Sequence, residues 1–200
     1  MPATRPARTI RGVVAATAAL LVAVVSGCAS GGDGVANQGD TGYISGSGAV
    51  EEFPAGERPQ APDFGGTLSS GEEWASTDHA GELMVVNFWY AACPPCRVEA
   101  PMLADVASEY EGDVTFIGVN VRDGAAQATA FDERFEIPYE SILDADSGTA
   151  QLSFVEAGTI TPTAVPTTLV IDADGGIAAR VIGALPDAGI LSTILADELG

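Results

Sequence analysis

The residues of this sequence best fitted for chemistry are two thiols held apart by two prolines, Cys93-Pro94-Pro95-Cys96. A thiol is a poor nucleophile until it loses its proton; the thiolate is what attacks. A second thiol three residues on is near enough to close a small ring with the first. The pair points to thiol–disulfide exchange, with a Cys93–Cys96 disulfide as the oxidised form. Metal binding is the rival use of such a pair. A zinc site needs about four ligands, and the chain offers only this pair, the distant Cys28 and a single histidine, His79. Redox chemistry is therefore expected, with no metal and no cofactor.

The exchange depends on the elements around the pair. Residues 83–89 (LMVVNFW) form an apolar run long enough for a buried strand. A helix is predicted from the cysteines to about residue 111. Its first turn has free N–H groups and the positive end of the dipole, both of which favour an anion. Pro94 and Pro95 suit that turn, because the missing N–H groups had no helical partner there. Cys93 is accordingly expected to attack and Cys96 to resolve. Glu99 follows Cys96 by three residues and shares its helix face. Pro101 lies inside the same helix, cannot bond the carbonyl of Arg97, and should kink the helix there.

Further strands are predicted at 114–121, 141–143 and 167–172, and further helices at 125–135 and 147–154. Asp174-Gly175-Gly176 reads as a turn that returns 177–182 as the second arm of a hairpin. An amphipathic helix at 187–199 closes the chain. Strands alternating with helices, followed by a hairpin, predict an α/β fold: a central mixed sheet with helices on both faces.

Asn87-Phe88-Trp89, Cys93-Pro94-Pro95-Cys96-Arg97, Glu99, Pro101, Gly118-Val119-Asn120, Val165-Pro166-Thr167-Thr168 and Ile171-Asp172 occur in an order and spacing that resembles the TlpA/ResA-like branch of the thioredoxin superfamily. Ala61-Pro62-Asp63-Phe64 matches its opening, so the resemblance covers roughly residues 61–200. It implies a thioredoxin-like fold. It implies that Pro166 is cis beside the dithiol, with the backbone of Val165 free to pair with an extended substrate; a trans proline opening an ordinary strand is the alternative, and Pro162 lies near enough to compete for the assignment. Trp89 is expected to pack beside the site and is a candidate substrate contact. The resemblance gives Glu99 a part in thiol reactivity, either raising the thiol pKa values or passing a proton; a solvated helix glutamate is the plain alternative. Asn87 stands where thioredoxin itself has a buried acid, which leaves more of the work to Glu99. Many relatives carry Trp directly before the first cysteine; here that residue is Ala92, a smaller and less aromatic surface.

The front of the chain reads as an address. Arg5, Arg8 and Arg11 precede an apolar run over 13–25, too short for the ~20 residues of a membrane span. Val25-Ser26-Gly27-Cys28 resembles a bacterial lipoprotein signal, implying cleavage of residues 1–27 and a lipid on Cys28. Residues 28–60 are rich in Gly, Ser and Asp and read as a flexible tether, and residues 61–200 as the thioredoxin domain. The full chain has 8 basic and 28 acidic groups, a net charge of −20, and no lysine; without residues 1–27, five arginines face the same 28 acids, −23. Such a surface repels phosphates and excludes nucleic acid as a partner.

Together these features predict a lipid-anchored thiol–disulfide oxidoreductase on the extracytoplasmic face of a bacterial cell membrane, working as a reductase. The resemblance implies exported protein disulfides, apocytochrome c among them, as substrates, and a membrane thiol carrier of the CcdA/DsbD type as the source of electrons. The rivals are an oxidase that donates its disulfide, a binding lipoprotein that uses the frame without chemistry, and a peroxide-reducing relative, which commonly works with one peroxidatic cysteine in another sequence context.

Overall fold

The computed structural model describes residues 49–200. The expected signal segment, Cys28 and the tether up to residue 48 lie outside the described residues. The elements run β1 (Ala49–Glu52), β2 (Gly65–Thr67), β3 (Glu73–Ala75), a short 3-10 helix (Ser76–His79), β4 (Met84–Trp89), α1 (Pro94–Glu109), β5 (Thr115–Asn120), α2 (Ala125–Phe135), β6 (Ser141–Leu143), α3 (Thr149–Glu156), β7 (Thr167–Ile171), β8 (Ile177–Ile182) and α4 (Ala188–Leu199).

All six residues of β4 are buried, because the strand is flanked on both edges and covered on both faces. It pairs parallel with β5 and antiparallel with β7. The sheet order is β1-β8-β7-β4-β5-β6, with β2 and β3 as a separate hairpin. Side chains of a strand alternate between faces. Met84, Val86 and Phe88 join Phe64, Ile117, Val119, Phe154 and Leu169 on the face covered by α3. Val85 joins Leu103, Val106, Val170, Leu191 and Leu195 on the face covered by α1 and α4. Asn87 and Trp89 keep step with Val85 and so point toward α1, which is how the strand aims two polar-capable side chains at the floor of the dithiol. The mixed sheet between helical layers is the architecture the sequence predicts.

The expected tether needs correction. Its last part, from residue 49, is built into the sheet: β1 pairs antiparallel with β8, Ala49 opposite Ile182. Phe53 N–H then donates to Ala178 O at 2.8 Å, and Ala61 N–H to Gly175 O at 2.9 Å. Between them Arg58 donates to Asp172 and, with both terminal nitrogens, to Glu198. The strand escapes sequence reading because AVEE holds one sizeable apolar side chain, Val50, and its stability comes from backbone pairing on a sheet edge. The β2–β3 hairpin was equally invisible, since Gly65-Gly66-Thr67 has no alternation to detect.

Candidate functional site

The end of β4 delivers the chain to the dithiol through a short turn fixed by polar contacts. Cys93 N–H donates to Tyr90 O at 3.1 Å. Ala91 N–H donates to Asp123 Oδ2 at 2.5 Å, and Arg97 Nη1 to Ala91 O at 3.2 Å. Asp123 is itself held by Asn120, whose Nδ2 donates to the same carboxylate oxygen and whose Oδ1 accepts from the Asp123 N–H. The turn beyond β5 therefore supports the turn beyond β4.

Cys93 is the N-cap of α1, with the two prolines in the first helical positions. Its Sγ accepts a hydrogen bond from Cys96 N–H at 3.1 Å. This is the helix-start geometry expected from the sequence: a free N–H of the first turn is aimed at sulfur. The two cysteines are joined, with an S–S distance of 2.06 Å. Both are 1% exposed, while Ala92 and Pro94 beside them are open to solvent. The helix continues past Pro101 to Glu109.

Glu99 is buried one turn below Cys96. Asn87 Nδ2 donates to its Oε1 at 2.9 Å, and Leu185 N–H to its Oε2 at 2.8 Å. Asn87 is oriented in turn by a second donation, to Thr168 Oγ1 at 3.0 Å. Burial pushes the Glu99 carboxyl up to about 7, against the pull of the Leu185 and Asn87 donors, which favour the anion. The plain alternative, a solvated helix glutamate, is excluded by this burial.

The Val165–Pro166 peptide bond is cis. Pro166 is buried, and half-buried Val165 packs against the cluster that holds Cys93, Cys96 and Trp89. Trp89 corrects an expectation. It is 4% exposed and lies behind the dithiol, its ring centroid 4.2 Å from that of Phe131, so it has no face to offer a substrate. Its Nε1 donates to Ser141 Oγ at 3.0 Å. That bond crosses Gly118, where a Cβ would collide with Ser141 Oγ and stand 2.8 Å from the indole nitrogen. The Gly118 noted in the sequence is required by this close approach.

Two neighbours were missed. Asp132 of α2 and Tyr139 line a small cavity together with Asn87, Trp89, Cys96 and Ser141. Burial pushes the Asp132 carboxyl up to about 7. The Tyr139 hydroxyl is pushed up by burial first, then by the charges of Glu99 and Asp132. In the sequence Asp132 belongs to Phe-Asp-Glu-Arg-Phe, which reads as a solvated helix face. The available signal was its place four residues after Ala128, a fully buried position. Among the described residues, no three potential metal ligands come together, and no helix is long and apolar enough to cross a membrane. Cys28 lies outside the described residues.

A family model described as the AhpC/TSA family matches residues 58–180. The thiol-disulfide oxidoreductase ResA of Geobacillus kaustophilus is 29% identical over 126 residues, 62% of this chain and 68% of that protein. The crystal structure of a DsbF homologue from Corynebacterium diphtheriae superposes with a TM-score of 0.67 at 26% identity, covering 78% of this chain and 96% of that one. A secreted disulfide oxidoreductase of Mycobacterium tuberculosis, homologous to E. coli DsbE, superposes with a TM-score of 0.56 at 26% identity, covering 72% and 99%.

Proposed function

The chain belongs to the AhpC/TSA family and is a TlpA/ResA-like thioredoxin-fold thiol–disulfide oxidoreductase, and from that premise we propose that it works as a disulfide reductase anchored outside the cell membrane. The observation that carries the exchange chemistry is the Cys96 N–H aimed at Cys93 Sγ at the start of α1, because it stabilises negative charge on the thiol that attacks; the reducing direction rests on Glu99.

In the reduced enzyme the Cys93 thiolate attacks one sulfur of a substrate disulfide. A bond forms between Cys93 and that sulfur, and the other substrate sulfur leaves as a thiolate that takes a proton from water. Cys96 then loses its proton and attacks Cys93 Sγ, restoring the Cys93–Cys96 disulfide and releasing the second substrate thiol. Two electrons pass to the substrate, and a membrane dithiol carrier of the CcdA/DsbD type returns them. The half-buried Val165 beside Pro166 offers the backbone edge on which an extended substrate lies. Exported proteins are the substrates, with apocytochrome c the leading candidate. Glu99 supports the reducing direction: a buried carboxyl one turn below Cys96 disfavours a further negative charge there, so the reduced form is the less stabilised one.

The anchor rests on the sequence, through the arginine-led apolar run and Cys28. The extracytoplasmic location draws support from the secreted mycobacterial relative.

The test is covalent trapping. The full chain with Cys96→Ser, expressed in its own cell envelope, is expected to accumulate mixed disulfides between Cys93 and exported proteins, and Cys93→Ser none. A reduced wild-type protein that fails to open the disulfides of insulin ends the enzyme reading. A reduction potential near about −120 mV, where strong disulfide donors lie, reverses its direction.

A further inference from the structure

A carboxylate with a buried, unpartnered oxygen lies beside Cys96, and the steps above leave it without a task. Asp132 Oδ1 is buried and makes no hydrogen bond. A polar atom in that condition is costly, and in native proteins it marks a bound water or a working group. The cavity it lines is about 10 Å³, room for one water, and Cys96, Asn87, Tyr139 and Ser141 share its wall. We propose that Asp132 is the proton acceptor for Cys96, reached through a single water in this cavity. The proposal rests on the dithiol reading above.

Glu99 is the obvious rival, and its bonding argues against it as the relay. Both of its oxygens already accept from N–H donors, Asn87 on one side and Leu185 on the other. At 1% exposure it has no route to solvent. Asp132 differs on each point: its inner oxygen is uncommitted, and the residue as a whole is partly exposed. One end meets the cavity and the other meets water.

The groups facing Asp132 leave it free to titrate. From α1 comes Cys96; from the segment before β6 comes Tyr139, on which the charges of both Glu99 and Asp132 act; β4 and β6 contribute only the neutral Asn87, Trp89 and Ser141. On α2 itself, the neighbouring Arg134 lies over the Phe135 ring, 5.6 Å from its centroid, with Glu133 and Glu136 on either side. No arginine lines the cavity. The carboxyl is raised to about 7 by burial, which suits a group that takes up and gives back a proton at neutral pH.

The step balances. With the substrate held on Cys93 as a mixed disulfide, the Cys96 S–H proton passes to the water, whose own proton passes to Asp132. The Cys96 thiolate attacks Cys93 Sγ, the substrate sulfur leaves and is protonated from solvent, and Asp132 releases its proton to the surface.

The experiment is a stopped-flow reaction of the reduced full chain with a peptide disulfide, across pH 5.5–9, resolving mixed-disulfide formation at Cys93 from release by Cys96. Asp132→Asn, nearly isosteric, is expected to leave formation unchanged and slow release by at least ~10-fold near pH 7, with the neutral-pH inflection of the release profile gone. Asp132→Glu is expected to restore much of the rate and the inflection. A release profile in Asp132→Asn that superposes on wild type overturns the assignment while formation at Cys93 stands. Absence of the formation phase in the wild type overturns the dithiol reading and this assignment with it.

Discussion

At one end of the central sheet, Asp172 and Glu198 share one guanidinium, with Arg58 Nη1 2.7 Å from Asp172 and Nη2 2.6 Å from Glu198. At the other end, Glu99 and Asp132 meet no cation among the described residues. The strand register fixes these as opposite ends: Phe88 faces Thr167 near the dithiol, and Met84 faces Ile171 next to Asp172. The same side-chain chemistry is thus driven in opposite directions. Burial pushes Asp172 up, but Arg58 and the N–H groups of Gly176 and Asp174 outweigh it and hold the carboxyl below its ordinary value. At Glu99 two neutral donors fail to offset burial, and the carboxyl rises to about 7. A carboxylate paired with arginine fastens the chain, whereas one facing amides alone keeps a proton within reach of neutral pH.

The sharpest way to break this contrast is to separate chemistry from fastening. Cys93→Ser is expected to lower disulfide reduction by at least about 1,000-fold, as loss of a nucleophile does, and an insulin-reduction assay measures it. A variant that kept most of its activity would move the working end of the molecule elsewhere.

Next in size is the pH dependence of stability. A carboxyl raised by folding stabilises fully below its unfolded value of 4.5, and that stability is lost as pH climbs to about 7. The difference corresponds to about 3 kcal/mol. Urea unfolding of the oxidised protein at pH 4.5 and 7.5 should show Glu99→Gln losing about that much less than wild type over the interval. Asp172, held low, works with the opposite sign: its contribution is present above its unfolded value of 3.8 and disappears as pH falls below it.

Smallest is the clamp itself. Arg58→Ala removes charged hydrogen bonds to two carboxylates and the bond to Phe53 O. It is expected to cost about 2 kcal/mol and to leave the rate of disulfide reduction unchanged. A loss of activity larger than the loss of folded protein would mean that the two ends are coupled.

The sequence showed the dithiol because both cysteines and the helix that starts on them are local: a strand, a turn and a helix start fit within fifteen residues. The helix over Ala125–Phe135 and the strands from β4 to β8 were legible for the same reason, each carrying its own apolar pattern. What stayed hidden is what only the assembled sheet creates. β1 is a strand because β8 lacks a neighbour on that side, and nothing in Ala-Val-Glu-Glu announces it. Asp132 faces inward because α2 lies against Cys96 and Ala100, and its charged neighbours in sequence give no sign of that. Trp89 could be placed near the site by strand parity, but its seat behind the sulfurs depends on Gly118 and Ser141 from two other strands.

Proline at the first two places of α1 has a consequence for the electrical character of the pair. Neither residue has an amide hydrogen, so the helix lends Cys93 a single one, from Cys96. An anion steadied by one dipole, above two carboxyls that resist company, is held lightly. A thiolate with fewer donors is the less steadied partner of its disulfide, and two absent amide hydrogens act in the same sense as the buried carboxyls.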